Sequence, residues 1–179
     1  MIKTFILAAL VAVPVVESVA APAVASERDK QFFQSVEGQW SGPGEIVAGK
    51  YKGTRFICNF TGSTPGNKLG MALSGGCRVG LFSQNMSASV AKSGNGYKGS
   101  FLDGAAGKGL DITSGTISGN KVTLALKRNK LDGAMLARMA DGDTMNVTIS
   151  VKVDSQMVPV IGIKLNRLDQ NSVGAIASE

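Results

Sequence analysis

Residues 145–153 read Met-Asn-Val-Thr-Ile-Ser-Val-Lys-Val, and their alternation decides the fold class. Met145, Val147, Ile149, Val151 and Val153 fall on one face of an extended chain. Asn146, Thr148, Ser150 and Lys152 fall on the other, because successive side chains of a strand point to opposite sides. One apolar and one wet face is the pattern of an antiparallel sheet covered on one side only. The same period recurs outward from this stretch. Val122, Leu124 and Leu126 alternate with Thr123, Ala125 and Lys127. Phe56, Cys58 and Phe60 alternate with Arg55, Ile57 and Asn59, and Ile161, Ile163 and Leu165 alternate with Gly162, Lys164 and Asn166.

Weaker strands are expected near residues 40–48, 69–80, 85–92, 97–102 and 110–118. Turn chemistry joins them at Thr64-Pro65-Gly66-Asn67, Ser93-Gly94-Asn95-Gly96 and Gly119-Asn120. The expected architecture is a mainly β, single-domain antiparallel meander of about eight or nine strands. A meander of that size leaves two exposed edges unless it closes, so a barrel is expected, with a two-sheet sandwich as the alternative. A barrel of eight strands is either filled by its own side chains or holds one small ligand.

Two segments depart from the period of two. Residues 26–37 contain no breaker and place Phe32, Phe33 and Val36 at helical spacing. Residues 130–140 place Leu131, Met135, Leu136 and Met139 on one helical face, which predicts a short helix plugging a barrel mouth or packed on the outside.

The first 25 residues carry the pattern of an export signal. Lys3 is followed by an apolar run from Phe5 to Val16, interrupted by Pro14, and then by Ala23-Val24-Ala25 ahead of Ser26. The run is too short to span a bilayer comfortably. Cleavage after Ala25 is expected, with an uncleaved anchor as the alternative. The expected product is a periplasmic or secreted protein with no transmembrane segment, a single domain over 26–169 and a flexible tail over 170–179.

The full chain has a formal net charge of +6, with small basic groups at Lys50/Lys52/Arg55, Lys127/Arg128/Lys130 and Lys164/Arg167. They read either as a solvated surface or as an attraction toward anionic envelope components. Nothing in the sequence resembles a nucleic-acid-binding motif. Cys58 and Cys77 are the two cysteines of the chain, and in an oxidising compartment an even pair reads as one disulfide. Their midpoint falls at Asn67/Lys68, so a hairpin folded there brings them together. A turn centred on Pro65-Gly66 would need a bulge at Gly75-Gly76 instead.

Most catalytic chemistries lack their parts. The chain contains no histidine, so serine or cysteine nucleophiles have no customary base, and two cysteines alone cannot hold zinc. The carboxylates Asp103, Asp132, Asp141, Asp143 and Asp154 sit in turn-like sequence rather than as a facing pair. Asp141-Gly142-Asp143 lacks the remaining spacing of a calcium loop. Gly104-Ala105-Ala106-Gly107-Lys108-Gly109 lacks the Lys-Ser/Thr ending of a phosphate loop and reads as a hairpin connection. Met135 and Met139 offer two sulfurs at helical spacing, whereas Met86, Met145 and Met157 fit strands as core. No enzyme activity, metal or cofactor is expected.

Gly38-Gln39-Trp40 follows the first helical segment, and Arg167 shares parity with Ile161, Ile163 and Leu165 near the end of the chain. A Gly-x-Trp opening of the first strand after a short helix resembles the lipocalin and wider calycin signature. That resemblance implies that Trp40 closes the barrel floor and that Arg167 packs across its ring. The rival reading of Trp40 is an exposed binding hot spot. Gly-x-Trp together with one disulfide is also similar to the small secreted inhibitors of bacterial metalloproteases, although residues 26–37 do not match their protease-inserting arm.

The function expected from all this is non-enzymatic. The chain reads as an exported envelope barrel that binds an apolar or amphipathic small molecule or an envelope component, with Phe60, Phe101, Val147 and Ile149 as candidate lining. The alternatives are a protein-binding module, such as a protease inhibitor, and a structural factor of envelope integrity.

Overall fold

The computed structural model describes residues 21–66, 68–102 and 109–169, with side chains from Ser26 onward. The amino-terminal segment through residue 20, Asn67 at the apex of one expected turn, most of the glycine-rich connection and the tail from residue 170 lie outside the described residues.

A helix, α1 (Ala21–Ser35), leads into β1 (Gly38–Ile46). Nine further strands follow: β2 (Arg55–Ser63), β3 (Gly70–Val79), β4 (Phe82–Ser93), β5 (Gly96–Leu102) and β6 (Leu110–Ser118), then β7 (Lys121–Arg128), β8 (Leu131–Met139), β9 (Thr144–Val153) and β10 (Gln156–Arg167). Each strand pairs antiparallel with its neighbour in the chain, and β10 closes on β1 to complete a barrel. Closure removes both sheet edges, so the barrel and not the sandwich is the outcome. The seam is in register from Trp40↔Arg167 to Ile46↔Ile161. Pro159, which has no N–H to give a ladder, sits where the β9–β10 register shifts.

Up-and-down order gives the barrel two unlike ends. α1 enters at one, together with the β2–β3, β4–β5, β6–β7 and β8–β9 connections. The β1–β2, β3–β4, β5–β6, β7–β8 and β9–β10 connections gather at the other.

The inward-facing residues are those that the alternation selects. Val122, Leu124 and Leu126 are buried from β7, Cys58 and Phe60 from β2, and Leu165 from β10. Phe32, Phe33 and Val36 bury one face of α1 against the barrel end. No polar or charged residue among those described is buried.

Residues 130–140 are corrected by the structure. Leu131–Met139 form the eighth strand, β8, and not a helix, and every residue from Leu131 to Arg138 has a partner in β7. Met135, Ala137 and Met139 point inward, whereas Leu131 and Leu136, which a helix would have placed beside Met135 and Met139, are exposed. Helix propensity is worth only fractions of a kcal/mol per residue. A helix here would have left the ladder edges of β7 and β9 unpaired, at a cost for each buried backbone group that propensity cannot offset.

Cys58 and Cys77 form the disulfide, directly opposite each other on β2 and β3 with Cα atoms 4.0 Å apart. The β2–β3 register runs without a shift from Ile57↔Arg78 to Ser63↔Ala72. The hairpin therefore folds about the midpoint of the two cysteines, and Gly75-Gly76 is not a bulge.

Candidate binding cavity and its closed end

The closed end is built around Trp40, which is fully buried. Its indole Nε1–H donates to the Val36 carbonyl at 2.9 Å, which satisfies one of the carbonyls that the end of α1 leaves without a helical partner. The Arg167 guanidinium lies 4.3 Å from the centre of the Trp40 ring. Its Nη2 donates to the Ser35 carbonyl at 2.8 Å, and its Nη1 donates to the Glu37 carbonyl. The same side chain reaches the β8–β9 turn, where Nη2 donates to the Gly142 carbonyl at 3.1 Å and Nε lies 3.3 Å from an Asp143 carboxylate oxygen. A cation at a helix carboxyl end meets the negative end of the helix dipole. One arginine therefore ties α1, β1, β10 and the β8–β9 turn together.

Gly38 makes this approach feasible. Its φ is +107°, and a Cβ there would stand 2.9 Å from Arg167 Nη1. A residue with a side chain would meet both a strained backbone and the guanidinium.

α1 also meets Tyr97 on β5. Phe33 packs edge-on against the Tyr97 ring at 5.1 Å, and the Tyr97 hydroxyl donates to Asp29 at 2.5 Å. Lys92 lies 4.8 Å from the centre of that ring and 4.0 Å from Asp29. Burial holds the Tyr97 phenol well above its ordinary pKa, and the hydrogen bond to the Asp29 carboxylate adds to the shift. Asp141, in the β8–β9 turn, has its pKa lowered because the Asp143 amide donates to it at 2.9 Å.

Above this floor lies a cavity of about 240 Å³. Phe32 of α1 and Val36 just beyond its end bound it below, and the partly buried Phe56, Met86, Ile149 and Ile161 lie toward the far end. Every residue lining it is apolar. The four lining candidates from the sequence, Phe60, Phe101, Val147 and Ile149, all face this space, from β2, β5 and β9. The sequence reading named none of Leu73, Met86 and Met135 as lining, although it placed Met86 in a strand as core; they line the cavity from β3, β4 and β8. Their signal was parity. Leu73 stands opposite Gly62, and Met86 opposite Gly75, in the alternating series, but the glycines and serines of β3 and β4 blur that series. Nothing local announced Asp29 and Tyr97, which are separated by 68 positions.

The cavity offers no nucleophile, acid or base, and among the described residues no group of three His, Cys, Asp or Glu side chains is placed to hold a metal ion. What it can do is take apolar surface out of water. An apolar void of roughly 150 Å³ in another protein stays dry and admits a benzene-sized molecule, so a space of this size suits a substituted ring or a short alkyl chain. A charge placed inside would lose its hydration with nothing to replace it.

No protein-family model matches the sequence, and no curated protein aligns with it. A solved structure does match in shape. Rv2717c from M. tuberculosis superposes with a TM-score of 0.58 at 12% identity, over 79% of this chain and 98% of that one. At that identity the likeness is one of fold, and it places this chain among closed antiparallel β-barrels.

Proposed function

We propose that this protein is a non-enzymatic, calycin-like barrel, exported from the cytoplasm, that binds a small apolar molecule or the apolar end of an amphiphile in its interior. The observation that carries the reading is the cavity of about 240 Å³ with a lining that is apolar throughout. A packed protein interior leaves few voids larger than a water molecule, so a space of this size is kept at a cost in stability that a ligand would recover. Support for the calycin-like reading is the stacking of Arg167 on the buried Trp40 at the closed end. Support for export is the Cys58–Cys77 disulfide, since such bonds persist in oxidising compartments. The lack of a histidine anywhere in the chain supports a role without catalysis.

The test is a fluorescence titration with N-phenyl-1-naphthylamine, alongside native mass spectrometry of protein isolated from its own source. Saturable one-to-one binding is expected, together with a co-purified small mass. Ala88 stands opposite Leu73 and Phe101 and lines the cavity. Ala88→Phe should fill the space and weaken the probe by about tenfold or more. A protein that takes up neither probe nor small mass would overturn the reading.

A further inference from the structure

The two ends of the barrel differ in more than their connections. At the end far from α1, Leu81 is 98% exposed and Phe82 84% exposed. They occupy the tip of the β3–β4 hairpin, where Val79 pairs with Phe82 and only Gly80 and Leu81 form the turn. Tyr51 in the β1–β2 connection is 63% exposed, and Leu102, Leu131 and Met157 are exposed at the same end. At the α1 end, Leu168 is the one such large apolar side chain among the described residues. A turn apex is ordinarily polar. A leucine and a phenylalanine held out in water at a tight turn, with further apolar side chains around the same rim, are the features of a surface that is covered in use.

The charge around that rim says by what. Its described acids are Glu45, Asp111, Asp132 and Asp154. Two of them are already ion-paired, Glu45 with Arg55 at 3.8 Å and Asp132 with Lys127 at 3.6 Å. Lys50, Lys52, Arg78, Lys130 and Lys152 stand exposed at the same end, so the rim is positive. Exposed apolar tips among lysines and arginines at one barrel end match the two layers of an anionic bilayer face, with acyl chains beneath and phosphates around. A protein partner would need a matching acidic rim about an apolar centre. A second copy of this chain would bring a like-charged rim, which opposes a symmetric contact.

We propose that the rim opposite α1 docks on an anionic lipid bilayer, with Leu81 and Phe82 entering the acyl layer and the surrounding lysines and arginines facing the phosphates. The docked barrel stands with its helix-closed floor outward and the far end of its cavity toward the lipid. The surface exists whether or not the cavity takes a ligand, so this inference does not rest on the one before it.

Co-sedimentation of the purified protein with vesicles tests it. The protein should sediment with vesicles of phosphatidylcholine mixed with phosphatidylglycerol, much less with phosphatidylcholine alone, and less as salt rises. The double substitution Leu81→Ser/Phe82→Ser should reduce binding to the anionic vesicles by about tenfold or more. Those side chains pack against little, so an unchanged melting temperature verifies the fold. Lys50→Glu/Lys130→Glu should weaken binding comparably at low salt, while Ala88→Phe, which fills the cavity, should still sediment. Absence of sedimentation with anionic vesicles overturns the proposal, as does equal binding by the Leu81/Phe82 variant. Self-association that depends on Leu81 and Phe82 while vesicles are ignored, seen by analytical ultracentrifugation, would overturn it in favour of an interface between copies.

Discussion

The guanidinium of Arg167 rests on the Trp40 ring while it hydrogen-bonds the carbonyls of Ser35, Glu37 and Gly142. The two residues are in contact, and both hydrogen-bond carbonyls at the carboxyl end of α1, Trp40 that of Val36 and Arg167 those of Ser35 and Glu37. Removing Trp40 empties a fully buried site and leaves the Val36 carbonyl without its donor. Trp40→Ala should cost about 3–5 kcal/mol in urea unfolding. Arg167→Ala should cost less, and the double variant should fall short of the sum, because the stacking contact is lost with either residue. Strictly additive losses would mean that the two side chains do not act together. Tyr97 behaves as a second residue-scale device, with a pH signature. Its phenol is held neutral in the fold by burial and then by the Asp29 hydrogen bond. In the unfolded chain it ionises near its ordinary pKa of about 10. A pKa raised by folding gives stability that is present below the unfolded value and is lost as pH rises above it. Tyr97→Phe should thus be less stable than the parent at neutral pH, and the gap should narrow above pH of about 10. Unfolding curves across the alkaline range measure it, and a gap independent of pH would count against a buried neutral phenol.

At the scale of elements, α1 and β8 show how differently pattern and context contribute. α1 was legible because Phe32, Phe33 and Val36 recur at helical spacing with no breaker between them, and tertiary packing agrees by burying that face. β8 was not, because Leu131, Met135, Leu136 and Met139 fit a helical face as well as Gly133, Met135, Ala137 and Met139 fit a strand. Local sequence leaves the two nearly balanced, and the open ladders of β7 and β9 decide between them. Paired substitutions distinguish the outcomes. Met139 is buried, so Met139→Ala should cost about 2–5 kcal/mol. Leu136 is exposed on the barrel wall, so Leu136→Ser should stay within about 0.5 kcal/mol. Comparable losses at both positions, read from chemical denaturation, would indicate a shared buried face. The β2–β3 hairpin lies between these cases. The spacing of Cys58 and Cys77 about residues 67 and 68 located its fold, while the choice between a plain register and a bulge at Gly75-Gly76 waited on the pairing itself.

For the whole molecule, closure on β1 and β10 turns ten amphipathic strands into one enclosed apolar interior with two unlike ends. One end is closed by α1, Trp40 and Arg167, and the other carries the exposed Leu81 and Phe82 among basic side chains. The alternation of Met145–Val153 and its counterparts determined an antiparallel sheet with one wet face, because period two is a property of the chain alone. The cysteine spacing and the Gly38-Gln39-Trp40 stretch were equally visible, since each rests on residues close together in sequence or on their bare count. Chain-distant features needed the tertiary structure. The meeting of Asp29 with Tyr97 depends on where the turns bring remote segments, which no local window contains. The state of residues 131–139 depends on hydrogen-bond partners supplied by other strands. The cavity depends on how completely inward side chains fill a closed cylinder, and that follows from strand number and register as well as from side-chain sizes contributed by strands far apart in the chain. Sequence determined which side chains face inward wherever the alternation was clean; only closure decided the face of β8 and that the inward side chains leave a space of about 240 Å³ between them.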